Sequence, residues 1–325
     1  MGAYFLGIDI GGTKTEVCLL ELQDEKNFES YQILSRERIE TRNFEPLEAF
    51  LPRLQEQVET TLASHSLKVA QLSGIGMGIP GSIDPKKQVM LQGNLGFLKD
   101  VPLPETFKKL FSWSGEIIFD NDANCFVLAE AYLGTGLKWA KAHGVKLDDL
   151  SIVGITLGTG VGGGLFIDGK ILRGRRGGAG EIGHMTLIES GRPCYCGKAG
   201  CAEQYLSGAG LEASYVERTR GKDLKSAPEI FKLASANDPH AILAVESYRD
   251  SLILFLSNLS NILDPHLIVL GGGLSSQTSL YDGIESRLSS SCFLSLDPPS
   301  VLKNGAGDSS GVLGAALLSF AKGIR

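Results

Sequence analysis

Two glycine-tipped strand pairs, about half a chain apart, constrain this sequence more than any other feature. Phe5–Ile10 alternates in apolar character, runs into Gly11-Gly12-Thr13, and continues as a second β-rich run, Thr15–Leu20. Far downstream, Gly154-Ile155-Thr156-Leu157-Gly158-Thr159-Gly160 passes through Val161-Gly162-Gly163-Gly164 into Leu165-Phe166-Ile167. GIDIGGT and GITLGTG agree in glycine placement and apolar alternation, and each links strand directly to strand. A chain that does this twice is expected to hold two domains of one topology, with a cleft between them as the natural site. Its 325 residues fit that expectation, given ~100–200 residues per domain. Glycine at such a tip accepts positive φ, and without a Cβ it lets backbone N–H groups approach phosphate oxygens. Either loop alone reads equally as an ordinary hairpin turn; the repetition favours phosphate. Neither is a Walker or dinucleotide-binding loop, because neither leads into a helix.

Asp264-Pro265-His266-Leu267-Ile268-Val269-Leu270 reads as a buried-type strand, entered from a long helical segment at Ala241–Leu263 and followed by a third glycine cluster, Gly271-Gly272-Gly273. That cluster is a flexible strand exit or a flat backbone surface for a nucleoside. Leu47, Leu51, Leu54, Val58 and Leu62 form a helical stripe along Pro46–Ser64. Gly74–Ile79 reads as a strand ending in the turn Pro80-Gly81-Ser82. Glu116–Phe119 reads as a strand that enters Asn121-Asp122-Ala123-Asn124, with Cys125–Leu133 helical beyond it. Thr135–Asp149 is the most linker-like stretch, and Ser309–Ala321 is a helix expected to pack back onto the first domain. The expected partition is 1–122 with 309–325, and 123–308.

Charge and composition narrow the function. A net charge of -6 without a basic block argues against a nucleic-acid surface. The cations worth watching near a phosphate are Lys14, Arg173, Arg175 and Arg176. No apolar run reaches the ~18 residues of a membrane span. The start, MGAYFLGIDIGG, reads as a strand rather than a signal peptide, so a cytoplasmic location is expected. In that compartment clustered cysteines favour metal over disulfide, and Cys18, Cys125 and Cys292 read as small buried hydrophobes.

His184, Cys194, Cys196 and Cys201 form such a cluster, spaced H-x9-C-x-C-x4-C. Three thiolates and one imidazole are the donor set of a closed tetrahedral Zn²⁺ site. Glu181 and Glu203 flank the set, so a metal there would hold both carboxylates in place. Asp9 lies inside an apolar strand, two residues before the first glycine turn, where it can hold Mg²⁺ directly or through water. Asp122 can take a proton from a substrate hydroxyl, with Asn121 binding a second hydroxyl; its plainer reading is a helix N-cap. Glycine cradles, a magnesium carboxylate and a base are what phosphoryl transfer from a nucleotide requires.

At this point the chain resembles the ROK family (repressors, open reading frames, kinases), and among its members the bacterial fructokinases and the hexose and N-acetylhexosamine kinases. The resemblance spans nearly the whole chain. It rests on GIDIGGTKTEV (Gly7–Val17), GMGIPGSI (Gly76–Ile83), NDANC (Asn121–Cys125), the glycine loop Leu157–Gly164, GEIGH (Gly180–His184), CYCGKAGCAE (Cys194–Glu203), IVLGGGLS (Ile268–Ser275) and GDSSGVLGAA (Gly307–Ala316). It implies an α/β fold of two actin-like, ribonuclease H-like domains with an interdomain cleft and a zinc-stapled loop. It implies ATP and Mg²⁺ as cofactors, with Asp122 as catalytic base. Gly11, Gly12, Thr13 and Lys14, then Gly158, Thr159, Gly160, Gly162 and Gly163, fall on its phosphate loops; Gly271, Gly272 and Gly273 fall at the nucleoside. His184, Cys194, Cys196 and Cys201 match its structural zinc ligands. Gly81, Asn94, Asn121, Asp122, Glu181, His184 and Glu203 fall where the family grips its sugar.

Gly93-Asn94-Leu95 is similar to the family's glucokinases, whereas GEIGHM and EQYLSG are similar to its N-acetylglucosamine kinases. The family's repressors place a helix-turn-helix before the first glycine loop; here that loop begins at Gly7, so no such module is expected. The expected activity is ATP-dependent phosphorylation of a hexose (fructose, glucose or N-acetylglucosamine type) at its 6-hydroxyl, by a homodimer. A catalytically silent sugar sensor is the alternative, and a complete phosphate cradle argues against it.

Overall fold

In the computed structural model of the chain, residues 2–24, 30–41, 46–84, 87–93, 95–294, 296–307 and 309–323 are described. The strands are β1 (Ala3–Ile10), β2 (Lys14–Leu22), β3 (Tyr31–Glu40), β4 (Gly74–Ile79), β5 (Ser82–Ile83), β6 (Met90–Gln92), β7 (Ile117–Asn121), β8 (Ile152–Leu157), β9 (Val161–Ile167), β10 (Lys170–Ile171), β11 (Leu267–Gly271) and β12 (Ser300–Lys303). The helices are α1 (Leu47–Ala63), α2 (Leu103–Phe111), α3 (Asp122–Tyr132), α4 (Thr135–His143), α5 (Glu203–Leu206), α6 (Gly208–Arg218), α7 (Ala227–Ser235), α8 (Pro239–Leu263), α9 (Ile284–Ser289) and α10 (Ser310–Gly323). No helix among the described residues is long and apolar enough to cross a membrane.

The two five-stranded sheets have orders β3-β2-β1-β4-β7 and β10-β9-β8-β11-β12. In the first, β1 pairs antiparallel with β2 and parallel with β4, which pairs parallel with β7. In the second, β8 pairs antiparallel with β9 and parallel with β11, which pairs parallel with β12. The strand pattern is the same twice over, and the repeated glycine motif marks the same hairpin in each sheet. Each copy is an α/β layer structure with a mixed sheet.

The chain forms two compact units: Met1–Leu147 with Lys170–Ala179 and Gly305–Arg325, and Asp148–Gly169 with Gly180–Asn304. This differs from the sequence-based partition, which placed residues 123–308 together. The cause is non-local packing. Helix α10 lies on β1 and β4 and against α3, and both sides of it are close. A Cβ on Gly7 would lie 2.2 Å from Val312 O, one on Gly76 2.0 Å from Ala315 O, and one on Gly314 1.7 Å from Cys125 O. Glycine at these positions lets α10 seat between sheet and helix, which holds α3 in the first unit. The core there runs through Leu6, Ile8, Leu19, Phe50, Leu54 and Phe107. The core of the second unit runs through Ile155, Leu157, Tyr215, Phe231, Phe255, Leu256 and Ile268.

Thr135–Asp149 is not a linker. Most of it is α4, closed by Gly144 in the left-handed conformation, with Ala140 buried and the Trp139 and His143 rings stacked at 4.0 Å. Its polar composition hid a helix whose apolar contacts are few.

Candidate active site

In the first unit, β7 carries the chain to Asn121, and α3 begins at Asp122. The N-cap is Asn121, whose Oδ1 accepts from Ala123 N at 2.8 Å; Asp122 Oδ1 accepts from the same N–H at 2.9 Å. Asn121 Nδ2 also donates to Gly81 O at 3.1 Å, where Gly81 turns with φ 118°. Gly81 and Asn121 are thus joined by a direct hydrogen bond, and Asp122, exposed, shares the Ala123 N–H with Asn121. Asn94 lies outside the described residues; its neighbour Gly93 packs on Pro80, where a Cβ would come within 2.4 Å of the carbonyl oxygen.

Behind this turn sits Asp120, buried and charged at the end of an apolar strand. It accepts from Arg173 Nε at 2.7 Å, Asn124 Nδ2 at 2.7 Å and Asn121 N at 2.9 Å. The ion pair ties Lys170–Ala179 to the segment that carries Asp122 and fixes the asparagines on both sides of it. Arg173, expected near a phosphate, is therefore found on a carboxylate. Farther along α3, buried Glu130 accepts from Thr135 N, Gly305 N, Ala306 N and Ser310 Oγ at 2.9–3.2 Å. It anchors the approach to α10. Charge inside the apolar runs IIFDN and CFVLAEAY was the sequence signal for both residues.

Asp9 stands on β1 opposite Glu16 of β2 and beside Gly78 of β4. Cβ atoms on Gly311 and Gly78 would lie 2.5 and 3.1 Å from its carboxylate oxygens, so glycine walls the carboxylate on two sides. Burial first, then the charges of Asp122 and Glu16, push Asp9 up to about 7 against the opposing pull of Lys14. Burial and the charges of Asp120, Asp9 and Asp122 likewise hold the Cys125 thiol well above its ordinary value. Three aspartates therefore act on one small region, an arrangement suited to a divalent cation and a base. At the adjoining turn Gly11 N donates to Lys14 O at 2.9 Å, Gly12 and Thr13 form the bend, and Lys14 pairs with Glu16 at 2.9 Å.

In the second unit, Gly158, Thr159 and Gly160 form the tip of the β8–β9 hairpin, closed by Gly158 N to Gly160 O at 3.0 Å. Gly162 N donates to Thr156 Oγ1 at 3.2 Å, and Gly163 pairs with Ile155. Gly271 ends β11 beside Thr156. Gly272 follows with φ 79°, packed so that a Cβ would lie 2.4 Å from Leu157 O; Gly273 begins the next turn. Two of the expected nucleotide elements thus meet at one end of this sheet. The segment Gly180–His184 lies on β9, with Gly183 against Val161 O. Glu203 Oε2 accepts from Val161 N at 3.1 Å, so that carboxylate is held at the glycine hairpin itself.

The Cys3His set assembles. Residues 185–187 run beside 200–202, through Leu187 N to Gly200 O at 2.7 Å and Ala202 N to Met185 O at 2.9 Å. A tight turn between them, Cys194 to Lys198, includes Gly197 at φ 88°. The ligand atoms of His184, Cys194, Cys196 and Cys201 lie within 4.8 Å of one another. Cys196 Sγ is 3.5 Å from Cys201 Sγ, and Cys194 Sγ is 3.7 Å from His184 Nδ1. Tetrahedral zinc, with bonds of ~2.3 Å to sulfur, asks for neighbours ~3.8 Å apart, so the donor set fits. A backbone N–H from Lys198 lowers the Cys196 thiol, while burial and the neighbouring thiols push Cys201 up to about 12. A divalent cation would supply the charge that ionises it. His184 offers Nδ1 to the set, and its Nε2 lies 3.1 Å from Tyr195 Oη. Burial and the charges of Glu203, Cys194 and Glu181 push that phenol up.

Arg192 clamps this loop independently of the cysteines. Its guanidinium reaches both carboxylate oxygens of Glu217, Gln204 O, Gly210 O and Ser214 Oγ at 2.8–3.0 Å, and lies 4.9 Å over the Tyr205 ring. Sequence inspection passed over Arg192 and Tyr195, since neither belongs to a recognisable donor pattern.

Two mixed sheets of one topology, each opening on a glycine hairpin, define an actin-like α/β protein. The chain belongs to the ROK family, whose model matches residues 5–322. It is 34% identical over 327 residues to the N-acetyl-D-glucosamine kinase of Vibrio vulnificus strain YJ016, covering 97% of this chain and 99% of that one. Among solved structures, the ROK hexokinase of Thermus thermophilus is similar at a TM-score of 0.82 and 27% identity, covering 100% of this chain and 99% of that one. A ROK family glucokinase from Streptomyces griseus, in complex with glucose and AMPPNP, is similar at a TM-score of 0.75 and 26% identity, covering 97% and 99%.

Proposed function

We propose that this ROK-family sugar kinase transfers the γ-phosphoryl group of ATP to the 6-hydroxyl of a hexose, with N-acetyl-D-glucosamine as preferred substrate, giving the sugar 6-phosphate and ADP. The observation that carries the reading is Asp122, exposed at the head of a helix on a turn locked by Asn121, Gly81 and the Asp120–Arg173 pair. The preference for N-acetylglucosamine rests on the similarity to kinases of that name over nearly the whole chain.

Asp122 accepts the proton of the attacking hydroxyl. Gly81, Asn94 and Asn121, with Glu181, His184 and Glu203, take up the sugar's other hydroxyls. The backbone of Gly11–Lys14 and of Gly158–Gly163 receives the phosphates, and Gly271–Gly273 the nucleoside. Asp9 holds Mg²⁺, which when bound neutralises phosphate charge. His184, Cys194, Cys196 and Cys201 hold Zn²⁺, which when bound fixes the loop between Glu181 and Glu203. The enzyme works in the cytoplasm as a homodimer.

An ADP-release assay over N-acetylglucosamine, N-acetylmannosamine, glucose, mannose and fructose tests this. The expected result is ADP release dependent on sugar, highest in kcat/KM for N-acetylglucosamine, and none with its 6-deoxy analogue. Silence with every sugar overturns the activity, and turnover of the 6-deoxy compound overturns the position.

A further inference from the structure

The sugar-binding set proposed in the second unit has a gap in its chemistry. Glu181, His184 and Glu203 are hydrogen-bonding groups, and every hexose offers hydroxyls to such groups. N-acetylglucosamine differs from glucose by an acetamido group in place of one hydroxyl, and its methyl is apolar. Hydrogen-bonding groups can meet its N–H and C=O, whereas the methyl gains only from an apolar surface beside the polar set.

Tyr195 supplies such a surface. Its side chain is 71% exposed although it is aromatic. Its ring stands edge-on to His184, 5.2 Å between centroids at 83°, with Oη 3.1 Å from Nε2. It touches His184, one of the residues assigned to the sugar, in the loop that runs between Glu181 and Glu203. It also lies between Cys194 and Cys196, so its backbone is placed by the same turn that gathers the thiols. An exposed aromatic side chain with a fixed base and a polar tip is a ready contact for a ligand that is part apolar and part polar.

We infer that Tyr195 is the specificity residue for the acetamido group: its ring receives the methyl. This rests on the substrate reading given above. The test compares kcat and KM for N-acetylglucosamine and for glucose in the wild type, Tyr195→Ala and Tyr195→Phe, with zinc content measured in each. The Ala variant should lose about tenfold or more of the preference for N-acetylglucosamine, mainly through KM. The Phe variant, which keeps the ring, should retain the preference to within roughly threefold, with zinc content unchanged in both. An Ala variant with the wild-type preference overturns the inference alone. So does a Phe variant as impaired as Ala, which would make Tyr195 a positioning residue acting through His184. A wild type with no preference for N-acetylglucosamine overturns the substrate reading and the inference together.

Discussion

Where the first hairpin places Asp9, the second places Thr156. Both stand two residues before a glycine turn, on the strand that pairs antiparallel with its successor and parallel with a neighbour that carries glycine alongside, Gly78 in one sheet and Gly271 in the other. Thr156 is satisfied within its own hairpin by Gly162 N. Asp9 faces carboxylates and is held near neutrality by burial and their charge. The fold therefore supplies one scaffold twice, and the clustered aspartates stand in one copy. The second copy specialises in holding, with Glu203 tied to its hairpin and the Cys3His loop clamped by Arg192. An internal repeat can keep its topology while its chemistry diverges, because strand pairing depends on backbone and apolar pattern, and catalysis on single side chains.

The largest effect should come from the copy with the acids. Asp122→Asn is expected to lower kcat by roughly 10²–10⁴-fold while leaving KM for the sugar within a few-fold, measured by ADP release. Turnover near wild type would break the division of labour at its main point. In the holding copy, Cys201→Ser should remove bound zinc, read by elemental analysis, and lower stability to urea by about 1–3 kcal/mol. The loss should stay modest because the Arg192–Glu217 fork holds the loop without metal. Purified wild-type protein without zinc would remove the metal from the account.

How much of this could be read from the chain depends on how local the information is. The hairpins, β4 and α8 announce themselves through alternation, glycine turns and apolar period, and their bounds agree with expectation to within a few residues. The Cys3His set was legible because three thiols and an imidazole in eighteen residues have few other uses. Helix α4 was not, since its stability rests on a left-handed Gly144 and on contact with α3 rather than on an apolar stripe. The capping role also fell to Asn121 as well as Asp122, a distinction that turns on side-chain geometry. Arg173 and Glu130 find their partners 53 and up to 180 positions away, and no window along the sequence contains both ends of such a bond.

The smallest effect should also separate the copies most sharply. Asp9 ionises in the folded protein at about 7, against an ordinary value of 3.8. A carboxyl whose folded value is raised is easier to ionise in the unfolded chain, so it costs stability as pH climbs from about 4 to 7 and leaves it untouched below that window. The whole shift corresponds to ~4 kcal/mol. Partial solvent contact and screening should leave on the order of 1 kcal/mol. Asp9→Asn should therefore stabilise the protein at pH 8 and not at pH 4, in urea unfolding without divalent cations, although it removes a proposed magnesium ligand. Thr156→Val, at the matching position, has no charge to relieve and should lose stability slightly and equally at both pH values, because Gly162 N gives up its acceptor. Equal pH slopes in the two variants would show that the first hairpin stores no electrostatic cost, and the asymmetry between the copies would then be one of sequence alone.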